Sequence, residues 1–283
     1  MARTVLTNSD WQQLAPLFAK RGPAKNRRRR LEGILWVHRT GAPWRDVPRT
    51  FGSWRSVRSC FERWSDNGLW ARIWESLRAL LGEDHEVLYL DSTSVKAHRH
   101  SAGAKGKGEE AIGRSRGGRS TKIHAVCDGL GYPVAITLTA AQESDVAQAD
   151  GMLEGQAAGQ VVADRGYDSD DLRQSIKAQG AEPVIPGRKN RKIPVEYDKH
   201  CYGSRHVIEN FFCRIKDHRR VATRYEKTAR MFGAMVMLSW HPRLAPVLRY
   251  PPLLGSIYVI ESRKCAINSR PTFTVRGTVG HWR

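Results

Sequence analysis

The spacing of apolar residues predicts three short helices in the first part of the chain. Apolar residues recur at helical intervals over residues 11–18 and 31–37, and again from Ser53 onward. Clusters of glycine and proline separate these runs, as is typical of the turns between short helices. We interpret residues 1–80 as a small all-α domain of the helix-turn-helix kind.

The middle of the chain alternates between strand-like and helix-like patterns. Strands are predicted at residues 86–91, 121–128, 132–139, 160–164 and 181–185. Helices are predicted at residues 144–158, 168–179 and 203–217. Residues 101–120 and 186–195 are basic and rich in turn-forming residues, and the first of these segments is interpreted as a mobile loop. This order predicts an α/β domain over residues 85–238.

Positive charge is concentrated at the two ends of the chain. The net charge is +19, and residues 1–80 carry 16 basic and 6 acidic side chains. Residues 240–283 carry 7 basic and 1 acidic side chain, whereas the middle of the chain is nearly balanced. A basic N-terminal region suits a module that binds phosphates, and a balanced middle suits a folded catalytic core.

Cysteine and hydropathy patterns restrict the class of protein. The five cysteines contain no C-x-x-C pair, so neither a disulfide framework nor a cysteine-rich zinc site is indicated. No run of 18 apolar residues occurs, and no secretory signal is visible at the N-terminus. We therefore expect a protein with no membrane span, in the cytoplasm and associated with nucleic acid.

Two predicted strands end on an acidic residue. Asp91 ends the strand at 86–91, Asp164 ends the strand at 160–164, and Glu209 lies in the helix at 203–217. Carboxylates brought together in this way hold two hard divalent cations, which suit in-line displacement at a phosphodiester. Each acid also has an ordinary structural interpretation, as a strand-end cap or as a partner in a surface ion pair.

A signature around the third acid connects these residues. Tyr202, Arg205, Glu209 and Lys216 follow the pattern Y-x₂-R-x₃-E-x₆-K. This pattern resembles that of bacterial insertion-sequence DDE transposases. Further short motifs, or phrases of sequence, resemble the insertion-sequence-5 family in particular. Those phrases are GAPWRDVP at 41–48, DST at 91–93, TKIH at 121–124, ADRGYD at 163–168 and RRVATRY at 219–225.

The resemblance, which covers residues 5–237, implies both a fold and an activity. The fold would be α/β and RNase H-like, as in retroviral integrases, with a mixed five-stranded sheet behind the helical domain. Asp91, Asp164 and Glu209 would be the catalytic triad and would bind two Mg²⁺ or Mn²⁺ ions. The enzyme would cut double-stranded DNA at the terminal inverted repeats of its element and join the ends to target DNA. It would act as a homodimer on DNA and, lacking a phosphate-binding loop motif, without a nucleotide cofactor.

Basic and aromatic residues outside the triad are the candidates for DNA contact. Arg205 and Lys216 share one side of the helix that carries Glu209, where they would meet phosphates. The full set of candidates is Arg27, Arg28, Arg29, Arg30, Arg55, Arg58, Lys122, Tyr202, Arg205, Lys216, Arg219 and Arg220.

Other polar residues in the middle of the chain are given less weight as site residues. Asp128 and Asp168 are expected to be structural. His98, His100 and His124 lack the spacing of a zinc site, so we expect them to face solvent or DNA.

The last segment, residues 239–283, departs from the family pattern. It is basic and interrupted by prolines, and we interpret it as an atypical tail that arises from a shifted reading frame. This leaves open an alternative function, an inactive relic that binds element ends and represses transposition. A nuclease of the same fold that cuts without joining is a third interpretation, and a structural RNA-binding protein ranks last.

Overall fold

The computed structural model describes residues 6–18, 24–81, 84–101, 110–240 and 273–275. Its helices are α1 (Asn8–Leu14), α2 (Ala24–Thr40), α3 (Trp54–Asp66), α4 (Leu69–Leu81), α5 (Val146–Leu153), α6 (Asp170–Ala178), α7 (Lys199–Gly203), α8 (His206–Lys216), α9 (Arg219–Ala222) and α10 (Ala229–Ser239). Its strands are β1 (Val87–Ala97), β2 (Gly113–Ser115), β3 (Gly118–Cys127), β4 (Pro133–Ala140), β5 (Gln160–Ala163), β6 (Glu182–Val184), β7 (Thr223–Arg224) and β8 (Phe273–Val275).

The first helices begin at side chains that cap them. Thr7 accepts the backbone N–H of Asp10 at 3.1 Å, and Asp10 in turn accepts the N–H of Thr7, a reciprocal cap for α1. Ser53 caps α3 by accepting the N–H of Ser56. The three predicted N-terminal helices are therefore present, and a fourth, α4, follows α3 after a short turn at Asn67 and Gly68.

The strands form one mixed sheet. Its order is β6-β5-β1-β3-β4-β8, with β2 added to β3 and β7 added to β1. β1 is parallel to β5 and antiparallel to β3, and the predicted β3–β4 hairpin is present. The central β6-β5-β1-β3-β4 sheet has five strands of mixed direction, and this architecture confirms the predicted α/β, RNase H-like fold.

Alternating residues of β1 face two separate cores. Leu88 and Leu90 pack with α5 and α6 on one side of the sheet. Tyr89 and Val95 join a larger core on the other side, which contains α8 and α10. The sheet is therefore covered on both faces, with the helix that carries Glu209 on the second face.

The N-terminal helices share that second core and do not form a detached unit. Trp74 of α4 lies 6.4 Å from Trp240, measured between ring centroids, and His38 of α2 lies 4.2 Å from His218. Gly41, after α2, has φ 72°, and a Cβ built there would lie 2.9 Å from Cβ of Arg219. The predicted boundary near residue 80 thus separates segments of the sequence that pack together.

Three local expectations need correction. β1 continues to Ala97 rather than ending at Asp91, because β3 pairs with it from Asp91 to Lys96. Residues 113–120, predicted as part of a mobile loop, form the β2–β3 hairpin. The helix predicted at 203–217 is present as α8 but begins later, at His206, because a separate short helix, α7, ends at Gly203.

The tail prediction falls almost wholly outside the described residues. α10 ends at Ser239, and of the segment beyond Trp240 only β8 is described, paired in parallel with β4. Within the described parts of the chain, none of the helices combines the length and apolar character needed to cross a bilayer.

Candidate active site

Asp91 and Asp164 lie at the end of a pair of parallel strands. The last paired residues are Leu90 of β1 and Ala163 of β5, so the two acids are the next residues on neighbouring strands. Asp164 begins a 3₁₀ turn at Arg165–Tyr167 and accepts the N–H of Gly166 at 2.8 Å. Because β5 ends at Ala163, both acids lie where the pairing between β1 and β5 ends.

Glu209 is brought to the same place by α8. This helix packs against β1 and β3 through Ile208, Phe211 and other buried residues, which leaves Glu209 exposed on its first turn. Arg205 connects the helix to the strand. Its guanidinium donates to Asp91 Oδ2 at 2.9 Å and also to Glu209 Oε1.

The environment of Asp91 favours its protonated form. Burial raises the pKa of Asp91 to about 6, and the negative charges of Asp164 and Glu209 act in the same direction. Hydrogen bonding from the Ser92 N–H and the charge of Arg205 oppose this shift without cancelling it. A carboxyl group that is costly to ionise among other acids benefits from a bound cation.

The donor chemistry of the site fits a hard divalent cation, but the side chains are not gathered around one. Asp91, Asp164 and Glu209 supply oxygen ligands of the type that Mg²⁺ and Mn²⁺ prefer. Among the described residues, no three metal-ligating side chains are close enough to share one ion. Arg205 pairs with both Asp91 and Glu209 and is their cationic partner in this structure.

A fourth acid belongs to this neighbourhood and was not singled out from the sequence. Asp145 accepts hydrogen bonds from Ser92 Oγ and Lys122 Nζ, each at 3.0 Å. The pKa of the buried Tyr167 is raised by burial and by the charges of Asp145, Asp91 and Asp164. Asp164 directly follows β5, whereas Asp145 is separated from the end of β4 at Ala140 and precedes α5, so the strand-end pattern did not indicate it.

Lys216 and Tyr202 flank the acids. Lys216 Nζ donates to Thr93 Oγ1 at 2.5 Å, two residues beyond Asp91 on β1, and burial lowers its pKa. Tyr202 lies on α7 against Tyr197, with ring centroids 5.5 Å apart. The helical spacing thus brings Arg205 and Lys216 to the same strand. DNA contact by these residues stays a prediction.

The N-terminal candidates differ in their surroundings. Arg29 and Arg55 are exposed, and Arg55 lies over the ring of Trp54 at 5.1 Å. Arg58 is exposed and paired with Glu62. Arg28 donates to Asn8 and to the carbonyl of Leu6, which ties α2 to α1. Of the remaining candidates, Arg27 and Arg30 are half-buried on α2, and Arg219 is exposed on α9.

Three residues predicted to face DNA or solvent form hydrogen bonds with other residues of the protein. Arg220 is buried and donates to Glu226 Oε1 at 2.7 Å, because it fills the contact between α9 and the segment after α2. His124 is buried on β3 and bonded to Thr139, and burial lowers its pKa to about 4. Lys122 is largely covered and holds Asp145 and the Glu143 carbonyl. Arg220 and His124 are therefore buried residues with partners inside the protein, whereas DNA contact by Lys122 stays a prediction.

Asp128 and Asp168 have the structural roles that were expected. Asp128 accepts the N–H groups of Leu130 and Tyr132 and so shapes the β3–β4 turn. Asp168 accepts hydrogen bonds from Arg173, Arg191 and the N–H of Arg188.

Comparison with known families assigns this arrangement. Residues 82–240 match the family model described as "Transposase DDE domain". The chain belongs to this family of DDE transposases. Residues 6–74 match a second model, described as "Putative transposase of IS4/5 family", so the helical region is similar to that of insertion-sequence transposases. The resemblance inferred from the motifs is thereby confirmed.

Similar proteins occur in several bacteria. The chain is 39% identical over 125 residues to the "Putative transposase for insertion sequence element IS6501" of Brucella ovis, covering 42% of this chain and 94% of that protein. It is 42% identical over 120 residues to the uncharacterized protein y4sN of Sinorhizobium fredii, covering 40% and 87%. It is 32% identical over 143 residues to the "Putative transposase for insertion sequence element IS402" of Burkholderia cepacia, covering 46% and 64%.

Family membership fixes the general chemistry of this transposase. It is a DDE-type enzyme whose substrate is DNA and whose reaction uses a divalent metal.

Proposed function

We propose that this transposase binds the terminal inverted repeats of its insertion sequence, cuts the DNA at each end and transfers the freed ends to target DNA. Asp91, Asp164 and Glu209 are its catalytic carboxylates. The observation that supports this assignment is the placement of Asp91 and Asp164 on neighbouring strand ends, with Glu209 joined to Asp91 through Arg205.

The three carboxylates are proposed to hold two Mg²⁺ or Mn²⁺ ions. When bound, such a pair activates the attacking hydroxyl and stabilises the leaving oxygen of a phosphodiester. The protein's own contribution is orientation. The parallel pairing of β1 and β5 fixes Asp91 relative to Asp164, and the buried face of α8 fixes Glu209 above them.

Basic side chains around the acids are proposed to orient the DNA. Lys216 is bonded to Thr93, two residues beyond Asp91 on β1, and Arg219 is exposed on α9, which follows α8 in the chain. Arg205 is available to a phosphate once it leaves the carboxylates, and Tyr202 packs at the start of this segment. Two DNA ends are joined in one reaction, so we propose a homodimer on DNA, without a nucleotide cofactor.

The test is cleavage of a labelled duplex that carries the end of the element. Wild-type protein should cut this duplex only when Mg²⁺ or Mn²⁺ is present, and Asp164→Asn should reduce the rate at least about a thousandfold, because a metal ligand is lost. Asp171→Asn, which changes an exposed acid on α6, is the matched control and should cut normally.

The result also separates the competing functions. Metal-dependent cutting followed by joining to a second duplex supports a transposase. Cutting without joining would indicate a nuclease of the same fold. Specific binding with no cutting by the wild type would contradict the proposal and favour a repressor.

A further inference from the structure

The β2–β3 hairpin presents an unusual concentration of arginine. Residues 113–120, called here the arginine hairpin, carry Arg114, Arg116 and Arg119, all of them exposed. The strand register places Arg114 directly opposite Arg119, so the two side chains lie on the same face of the ribbon. Arg116 occupies the turn between the strands.

This arrangement is unfavourable for the protein alone. Like charges directly opposite each other destabilise an antiparallel pair. Among the described residues, none of the three arginines forms an ion pair that would relieve the repulsion. A Cβ built at Gly118 would meet nothing within 4 Å, so the tip stands clear of the rest of the described protein. A polyanion bound from outside would supply the missing compensation.

The base of the hairpin is, in contrast, firmly held. Arg224 is fully buried, and its Nη1 donates to Thr121 Oγ1 at 2.6 Å and to the Ala111 carbonyl at 3.2 Å. Thr121 Oγ1 donates to the same carbonyl at 2.6 Å. Ala111 has φ 44°, which costs a non-glycine residue energy and persists because these bonds hold it. The backbone at the base of the arginine hairpin is therefore held in place.

Strand geometry relates the arginine hairpin to the catalytic carboxylates. Asp91 pairs with Ala125, and Lys96 pairs with Ser120, so Arg119 lies about one residue beyond Lys96 along β1. At a rise of ~3.3 Å per residue, the Arg114–Arg119 pair lies roughly 20 Å from Asp91. For a duplex that runs along β1, with a rise of ~3.4 Å per base pair, this distance corresponds to about six base pairs.

We propose that the arginine hairpin binds the phosphate backbone of the DNA duplex whose cleaved bond lies at Asp91, about six base pairs from that bond. The partner is double-stranded DNA read through its phosphates, because guanidinium groups on an open ribbon suit phosphate oxygens. This inference rests on the proposed function, since it assumes that the acids mark the position of the cut.

The first test measures binding of the element-end duplex without divalent metal, as a function of salt, for the full chain. Changing Arg114, Arg116 and Arg119 together to Gln should weaken binding at least roughly tenfold near 0.1 M salt. It should also reduce the slope of log K against log salt by about 2 to 3. The matched variant, with the same three residues changed to Lys, keeps the charge. It should retain most of the binding affinity and most of the salt slope.

A structural role would give a different pattern. The Gln variant should have an unchanged or higher Tm without DNA, because it removes the Arg114–Arg119 repulsion. A lowered Tm together with weaker binding would overturn the proposal, as would an unchanged salt slope. Lys177→Gln, which removes one exposed charge from α6, controls for a general loss of positive charge and should leave the slope nearly unaltered.

The position of contact is tested by phosphate ethylation interference. Wild type should show interference about six base pairs from the cut, and the Gln variant should lose this signal alone. Interference confined to the immediate neighbourhood of the cut would overturn the proposal. Failure of the proposed function is seen separately, as absence of metal-dependent cutting by the wild type, because these binding measurements need no cleavage.

Discussion

Asp164 and Asp168 are four residues apart in the chain and have opposite surroundings. Asp164 and its neighbour Asp91 accept few hydrogen bonds and lie among other acids. The pKa of Asp91 is raised to about 6. For Asp168, burial also favours the neutral form, but the Arg188 N–H, Arg173 and Arg191 outweigh it, so its pKa is lowered.

The difference shows how one short turn supports two tasks. Asp168 uses its charge to bind the segment after β6 to α6, which stabilises the turn that carries Asp164. Asp91 pairs with Arg205, but burial raises its pKa to about 6 nonetheless, so its ionised form costs stability. We therefore expect the bonds of Asp168 to offset part of the cost of placing Asp91 and Asp164 side by side.

The largest effect on stability is expected from Asp168→Asn. It leaves the buried Arg173 without its carboxylate, and breaking a buried ion pair typically costs about 3–5 kcal/mol of the free energy of unfolding. Chemical denaturation of the full chain measures this directly. Asp170→Asn removes the exposed partner of the same Arg191 and should change stability little. Equal losses of unfolding free energy in the two variants would show that Asp168 does not stabilise this turn.

A smaller effect, of opposite sign, is expected from Asp91. Its pKa is 3.8 ordinarily and about 6 in the fold, so the folded protein binds this proton more tightly than the unfolded chain. Protonated Asp91 therefore adds to the free energy of unfolding at low pH. As pH rises from about 4 to about 6 this contribution, of up to about 3 kcal/mol, is lost. Asp91→Asn should be more stable than wild type at pH 7.5, and the difference should shrink at pH 4.5. A difference that is independent of pH would contradict this.

Divalent metal binding should follow the same titration. A carboxyl group binds metal in its ionised form, so Mn²⁺ affinity should weaken as pH falls below about 6, and the weakening should approach tenfold per pH unit. Electron paramagnetic resonance of Mn²⁺ without DNA provides the measurement.

The smallest effect is expected from Arg205→Gln. The guanidinium competes with a cation for Asp91 and Glu209, so its removal should tighten Mn²⁺ binding about tenfold, or ~1.4 kcal/mol. Lys216→Gln removes a nearby charge that is bonded to Thr93 and the Ser94 carbonyl instead, and should have less effect. Unchanged or weaker binding in Arg205→Gln would show that the two carboxylates do not depend on Arg205 for neutralisation.

Local patterns predicted much of the fold. The run before Asp91, the run before Asp164 and the β3–β4 hairpin were recognisable because strand-like apolar runs are bounded by turn residues. The candidate triad followed from the ends of two strands and one helix-borne acid. The spacing of Arg205 and Lys216 predicted that they share one side of a helix, and in the structure both side chains bond to residues of β1.

Features that depend on long-range pairing were not predictable in this way. Residues 113–120 have the composition of a loop, and they become strands because β3 extends beside β1. Arg220 and His124 look like surface residues in the sequence, but their partners Glu226 and Thr139 are supplied by the fold. Arg205 was expected at a phosphate, and nothing in the sequence shows that it first neutralises two acids.

The close fit of Gly41 against Arg219 has a consequence for the DNA. Since α1–α4 share a core with the sheet, a duplex held by those helices cannot slide relative to the acids without breaking that core. We therefore predict that the fold sets the distance between the bases bound by these helices and the bond that is cut. Inserting half a helical turn of DNA between them should rotate the bond out of reach.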